Sequence, residues 1–340
     1  DGQRGIGEWK RHKIAFSSVL LFHRAIGSDG FFLASSRFLI AASNSIIFIK
    51  NLPPLYQGIL LRRLQKFLRF IKIEHTLFSL PLIFSGAFLA TKGPPTVILL
   101  LLILSAATGA RTAALALNRI IDREIDRRNP RTAVRELPSG RMNVYEAIIV
   151  LASGIALYVG SADITSQFCL ALSRLPLIIF AIYPYMKRFT VLAHFGVGLG
   201  LAMAPLGGWF AVEQSLQNIL AGALLSLFTL FWVTGFDIIY STLDEMFDRE
   251  EQLHSFTSRY GRSTALRISA FLHVLAFGSL ALLFILYIKA WAALPLLMLS
   301  GYLLYLEHKK AGDVELAFFK INAVLGFVIL GMIVVGVYFP

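Results

Sequence analysis

The chain has 340 residues, of which 56% are hydrophobic and 15% charged, and its mean hydropathy is +0.69. A soluble domain carries about 25% charged residues, so a pair of ordinary soluble domains is excluded and a polytopic membrane protein is indicated. The net charge of +12 is gathered in particular loops, which argues against a nucleic-acid partner, and the lone Cys169 supplies neither a disulfide framework nor a cysteine metal site.

In chain order, residues 1–60 fit the rest poorly. Phe38 to Lys50 is apolar but short for a span, and Asn51-Leu-Pro-Pro54 breaks any helix. This stretch reads as an N-terminal appendage or a translation-start artefact, with one membrane domain over 61–340. Nine spans follow from apolar length and loop signals: 71–90, 96–118, 143–160, 166–186, 190–212, 216–239, 264–288, 290–306 and 315–338. Every second loop is basic. Arg62, Arg63, Lys66 and Arg69 precede the first span, and Arg123, Arg127, Arg128, Arg131, Arg135 and Arg141 follow the second. Lys187 and Arg188 follow the fourth, Arg249, Arg259, Arg262 and Arg267 the sixth, and Lys309 and Lys310 the eighth. Positive loops mark the cytoplasmic side, so the N-terminus lies inside and the C-terminus outside.

Two acidic clusters sit on that cytoplasmic side, Asn118-x-x-x-Asp122-x-x-x-Asp126 and Asp237-x-x-Tyr240-x-x-x-Asp244-x-x-x-Asp248. A four-residue step stacks side chains on one helix face, and stacked carboxylates repel unless a cation or protons lie between them. Oxygen ligands without His or Cys favour Mg²⁺, which fills its shell with water and substrate phosphate oxygens. Arg123, Arg131, Arg135 and Lys187 are the cations at hand to clamp a diphosphate. Arg127, Arg128, Arg141, Glu250 and Glu251 read better as solvated loop charges. The shared spacing also hints at an internal duplication offset by four spans.

These residues carry a resemblance. Asn118-Arg-Ile-Ile-Asp122-Arg-Glu-Ile-Asp126, with Arg131-Thr132 and Leu137-Pro-Ser-Gly140, resembles the first signature of the UbiA-type intramembrane aromatic prenyltransferases. The stretch Asp237 to Asp248 resembles the second, and Tyr183-Pro-x-x-Lys187-Arg188 a motif between them. The resemblance implies an all-α integral membrane protein of nine transmembrane helices, bundled around a central cavity under a cytoplasmic cap. It implies Mg²⁺ held by Asn118, Asp122, Asp126, Asp237, Asp244 and Asp248, with Arg131, Lys187 and Arg135 on the diphosphate. Arg111, seven residues before Asn118, lies on the same helix face two turns deeper and resembles an aromatic-carboxylate anchor. Lys72 stands where the family has an Arg, and Tyr183 and Tyr240 would stack on the acceptor or steady a cation. His75 and His194 read as core or cavity-lining residues, and His254 follows the second cluster. Glu136 departs from the family's usual Arg-Pro-Leu-Pro.

The expected function is transfer of a polyprenyl group from an isoprenyl diphosphate to a hydroxylated aromatic acid in quinone biosynthesis, 4-hydroxybenzoate leading. A dihydroxynaphthoate of menaquinone synthesis by the futalosine route is the alternative acceptor. The expected partners are the polyprenyl diphosphate, the aromatic acid and the lipid bilayer, and the expected location is the inner or cytoplasmic membrane with the active site facing the cytoplasm. A secondary transporter is the rival of another class, but transporters hold substrate near the bilayer midplane, whereas these carboxylates lie at helix ends.

Overall fold

The computed structural model describes residues 66, 67, 69, 70, 76–91, 94–314 and 320–339, within a compact unit Lys66–Pro340. Residues 1–60 and Lys72 lie outside the described residues. Among the described residues all regular structure is helical: α1 (Thr76–Thr91), α2 (Val97–Ile121), α3 (Arg123–Arg128), α4 (Val144–Thr165), α5 (Gln167–Leu172), α6 (Arg174–Met186), α7 (Ala193–Val212), α8 (Leu220–Ser241), α9 (Glu245–Glu250), α10 (Phe256–Leu283), α11 (Leu294–Lys309) and α12 (Asn322–Tyr338). Each of the nine expected spans meets a helix or helix pair. Among the described residues six stretches are long and apolar enough to cross a bilayer: α2, α4, Gln167–Met186, α7, α8 and Phe256–Ile288. Leu80–Thr91 and Asn322–Tyr338 are apolar but shorter.

Two expected boundaries move, each for a local reason. The span over 166–186 is broken at Ser173 into α5 and α6, because Pro176 has no N–H to offer the Leu172 carbonyl one turn back. The span expected from 264 begins at Phe256, where Ser255 and Ser258 cap each other reciprocally. Gly261 (φ 77°, ψ 160°) then kinks α10 in a backbone region essentially reserved for glycine.

Close helix crossings hold the bundle together. A Cβ on Gly154 of α4 would lie 2.8 Å from the Ala113 nitrogen of α2, and one on Gly208 of α7 would strike the Ile83 carbonyl of α1. Small residues at these points let backbones touch, as membrane helix packing requires. The largest buried cluster joins Leu225, Phe228 and Trp232 of α8 to Leu280 and Leu283 of α10 and Leu325 and Ile329 of α12.

The hinted duplication has a backbone counterpart. Asp122 ends α2 at φ −92°, ψ 3°, and Asp244 follows α8 at φ −110°, ψ 7°. Each is succeeded by a six-residue helix, α3 and α9. The amide of Asp126 donates to the Asp122 carbonyl at 2.8 Å, and that of Asp248 to the Asp244 carbonyl at 2.7 Å. Asp122 and Asp244 thus hold the same bend at the start of α3 and α9, and their carboxylates line one space.

Candidate active site

That space is a cavity of about 230 Å³ between the ends of α2 and α8, roofed by α3, α9 and the loop over 129–142. Its walls include Asn118, Asp122, Asp126, Arg131, Arg135, Tyr183, Lys187, Asp237, Tyr240, Asp244 and Asp248, so one site gathers residues up to 130 positions apart. Arg111 is half-buried on α2 and outside this lining, although it acts electrostatically on Tyr183. Arg123 also stays outside, pairing at 3.1 Å with Glu124 on the surface.

The stacked carboxylates do not simply face one another across a gap; Asp122, Asp126 and Asp244 have each drawn a basic partner. Asp122, 3% exposed, accepts from Lys187 Nζ at 2.8 Å and Asn118 Nδ2 at 3.1 Å, both on Oδ2. Asp126 accepts from Arg135 Nη1 on both oxygens, at 3.0 and 2.8 Å. Asp244 is gripped by Arg131 through Nε at 2.9 Å and through Nη2, and accepts from Asn129 Nδ2 at 2.8 Å. Arg131 also donates to the Tyr240 hydroxyl at 2.7 Å, its guanidinium 5.0 Å from that ring's centre. Asp237 meets His194 Nδ1 at 2.7 Å. Among the described residues, no three His, Cys, Asp or Glu side chains already close on a common metal-binding point.

Electrostatics nevertheless fit a divalent cation. Five carboxylates line the cavity against three fixed cations, Arg131, Arg135 and Lys187, leaving an excess of two negative charges. Burial raises the Asp122 carboxyl above its ordinary value, although Lys187 pulls it back. Burial likewise pushes Asp248 up to about 6, with the Asp244 charge adding to the rise. Asp122 Oδ1 is buried and accepts no hydrogen bond, with Arg188 no nearer than 3.8 Å. An orphaned anionic oxygen beside a hard-oxygen donor set suits Mg²⁺.

Two contributors, Asn129 and Arg119, were not singled out in the sequence, and others gain a defined place. Asn129 ties the α3 end to Asp244 across 115 residues, and no local pattern announces such a pairing. His194, placed in the sequence as a core or cavity-lining residue, lines the cavity and orients Asp237. His254 lines it too, and its amide donates to the Lys187 carbonyl at 2.7 Å. Glu136 pairs at 3.0 Å with Arg119, which is 3% exposed, and so anchors the loop that carries Arg131 and Arg135.

Comparison with known proteins agrees with this architecture. Residues 79–324 match the family model for the UbiA prenyltransferase family. The chain is similar to the 4-hydroxybenzoate octaprenyltransferase of Burkholderia mallei (strain NCTC 10247), at 30% identity over 221 residues, covering 62% of this chain and 73% of that protein. The apo structure of a UbiA homolog from Aeropyrum pernix K1 superposes with a TM-score of 0.72 at 35% identity, covering 77% of this chain and 98% of that one. A UbiA homolog from Archaeoglobus fulgidus, bound to GPP and Mg²⁺, shares the fold with a TM-score of 0.60 at 18% identity over 78% of this chain and 99% of that one. With six helices of spanning character and the paired carboxylate bends in one cavity, this integral membrane chain belongs to the UbiA prenyltransferase family.

Proposed function

We infer that the protein transfers a polyprenyl group from its diphosphate to 4-hydroxybenzoate in quinone biosynthesis, releasing pyrophosphate at the cavity between the α2 and α8 ends. The observation that carries this reading is the convergence of two duplicated carboxylate bends with Arg131, Arg135 and Lys187 on one cavity. The acceptor follows the activity named for the Burkholderia relative, and the diphosphate and metal follow the ligands named for the Archaeoglobus neighbour.

Asn118, Asp122, Asp126, Asp237, Asp244 and Asp248 are the residues that would hold Mg²⁺. When bound, Mg²⁺ offsets the charge that builds on the departing diphosphate. The carboxylates now hold Lys187, Arg135 and Arg131 by hydrogen bonds of ordinary length. With Mg²⁺ on those carboxylates, Lys187, Arg135 and Arg131 would be available to the outer diphosphate oxygens, where preorganised positive charge stabilises a leaving group. Tyr183 and Tyr240 present ring faces to the allylic cation. Arg111, one side of Tyr183, anchors the acceptor carboxylate, with Lys72 assisting. The nine-helix topology and cytoplasmic cap suit the alternation of basic loops.

The test uses purified protein in detergent with Mg²⁺, a labelled polyprenyl diphosphate and a panel of aromatic acids including 4-hydroxybenzoate and a dihydroxynaphthoate. Prenylated 4-hydroxybenzoate with stoichiometric pyrophosphate is expected. Turnover of the naphthoate alone reassigns the acceptor, and no prenylated product from any acceptor overturns the reading.

A further inference from the structure

The helix that follows the second carboxylate bend is longer than a bilayer requires. Its stretch Phe256–Ile288 has 33 residues, about 50 Å of helix, whereas a hydrocarbon core takes roughly 20 residues. Ser255, which caps α10, lines the carboxylate cavity, and the exposed Lys289, at φ 56°, ends the stretch on the opposite side. Counting about 20 residues back from Ile288 puts the hydrocarbon boundary near Ser269. The first turns of α10 therefore stand in the headgroup layer, on the cavity side.

The two faces of α10 differ there. On the inner face Ala265, Ser269, Leu272 and Ala276 are buried, and Ser269 Oγ donates to the Gly235 carbonyl of α8 at 2.7 Å. On the outer face Ser263, Thr264, Arg267, Phe271, Val274 and Gly278 are exposed and follow one another at three- or four-residue steps, which is one side of a helix. This stripe changes chemistry at the boundary, with two hydroxyls and a guanidinium on the headgroup side and Phe271 and Val274 on the hydrocarbon side. Gly278 then leaves a notch, since nothing lies within 4 Å of the place its Cβ would take. Helical side chains lean toward the N-terminus, which brings the Arg267 head toward Ser263 and Thr264. The arginines are also uncommitted. Arg123 and Arg127 pair with Glu124, and Arg249 with Glu245, but among the described residues no carboxylate stands within ion-pair distance of the exposed Arg259, Arg262 or Arg267.

We propose that this outer face of α10 binds an anionic phospholipid, with the phosphate on Arg267, Ser263 and Thr264 and an acyl chain along Phe271, Val274 and the Gly278 notch. A guanidinium fork matches two phosphate oxygens, and the hydroxyls can donate to the others. Arg259 and Arg262, on either side of the Gly261 kink, supply the further positive charge that favours a net-negative headgroup over a zwitterionic one. A free phosphate ion would gain the same polar contacts and nothing from the apolar stripe, so the continuity of the two halves points to a lipid. Because the inner face of α10 packs on α8, a lipid seated here braces from outside the helix that carries Asp237.

This proposal does not rest on the assigned reaction, and its test reads lipid retention, not turnover. Full-length protein in detergent, without prenyl diphosphate, is titrated with phosphatidylglycerol or with phosphatidylcholine of the same acyl chains, and bound lipid is counted by native mass spectrometry. Wild type should bind phosphatidylglycerol more tightly than phosphatidylcholine. R267Q should weaken phosphatidylglycerol about fivefold and R262Q/R267Q about 30-fold, with phosphatidylcholine unchanged. R127Q, which removes a paired arginine from α3, should leave both lipids as they are in wild type. Equal phosphatidylglycerol affinity in wild type and R262Q/R267Q would overturn the site. So would displacement of the lipid by equimolar inorganic phosphate, which marks an anion site with no acyl seat.

Discussion

Asp244→Asn removes one charge from the cavity while keeping the side-chain shape. In the wild-type protein Oδ1 accepts from Asn129 and from Arg131 Nε, and Oδ2 accepts from Arg131 Nη2. An amide has one acceptor oxygen, so its NH₂ faces the guanidinium in either orientation, and in one of them the Asn129 amide as well, donor against donor. At least one charge-assisted hydrogen bond disappears, worth about 1.5–3 kcal/mol, and Arg131 loses the anion that aims it. With the metal ligand also weakened, the loss of transition-state stabilisation is about 3–4 kcal/mol, or roughly 10²–10³ in kcat/KM. Initial rates against polyprenyl diphosphate at saturating 4-hydroxybenzoate, repeated over a Mg²⁺ titration, measure it. The Mg²⁺ requirement should move to higher concentration. Wild-type kcat/KM with an unchanged Mg²⁺ response would refute the role given to Asp244.

Tyr240→Phe should cost about tenfold in kcat/KM, because it deletes the hydroxyl that Arg131 Nη1 reaches at 2.7 Å but keeps the ring beneath the guanidinium; Tyr240→Ala should cost several-fold more. Glu136→Gln should destabilise the protein by about 3 kcal/mol, since it strands Arg119 at 3% exposure; thermal melts in detergent should show the loss, and the double change Arg119→Met with Glu136→Leu should recover most of it. Gly208→Ala drives a methyl group into the Ile83 carbonyl and should lower the yield of folded, monodisperse protein by size-exclusion chromatography, an overpacking cost of about 1–3 kcal/mol. Arg111→Ala should raise KM for 4-hydroxybenzoate at least tenfold and leave KM for the diphosphate unchanged; equal effects on both would place Arg111 in the helix scaffold instead.

What could be read in the sequence was local in the chain. Asp122, Asp126, Asp244 and Asp248 repeat at one turn of helix, so their common face follows from geometry alone. Partners that meet only through helix packing carry no such signature. Asn129 with Asp244, His194 with Asp237 and Arg119 with Glu136 are joined across 115, 43 and 17 residues. Glu307 and His308 of α11 likewise meet His273 of α10 only through helix packing. Helix ends failed for a different reason. The Ser255 and Ser258 reciprocal cap lacks the usual acidic residue at its third position, so the start of α10 was hidden among residues that read as a basic loop.

In the proposed reaction, the charge balance of the cavity orders the events. Five carboxylates against three cations repel a free diphosphate, even though Arg131, Arg135 and Lys187 are the groups suited to bind it. Those cations are held by Asp244, Asp126 and Asp122, so neither the anionic substrate nor the basic residues can act while the ion pairs stand. A divalent cation held by these carboxylates would offset the excess negative charge and leave Arg131, Arg135 and Lys187 available to the diphosphate. Asp122 with Lys187 and Asp126 with Arg135 stand on the α2 side of the cavity, and Asp244 with Arg131 on the α8 side. Both sides of the cavity would therefore need a cation on their carboxylates before their basic residues could turn to the diphosphate, so the proposed clamp requires metal and substrate together.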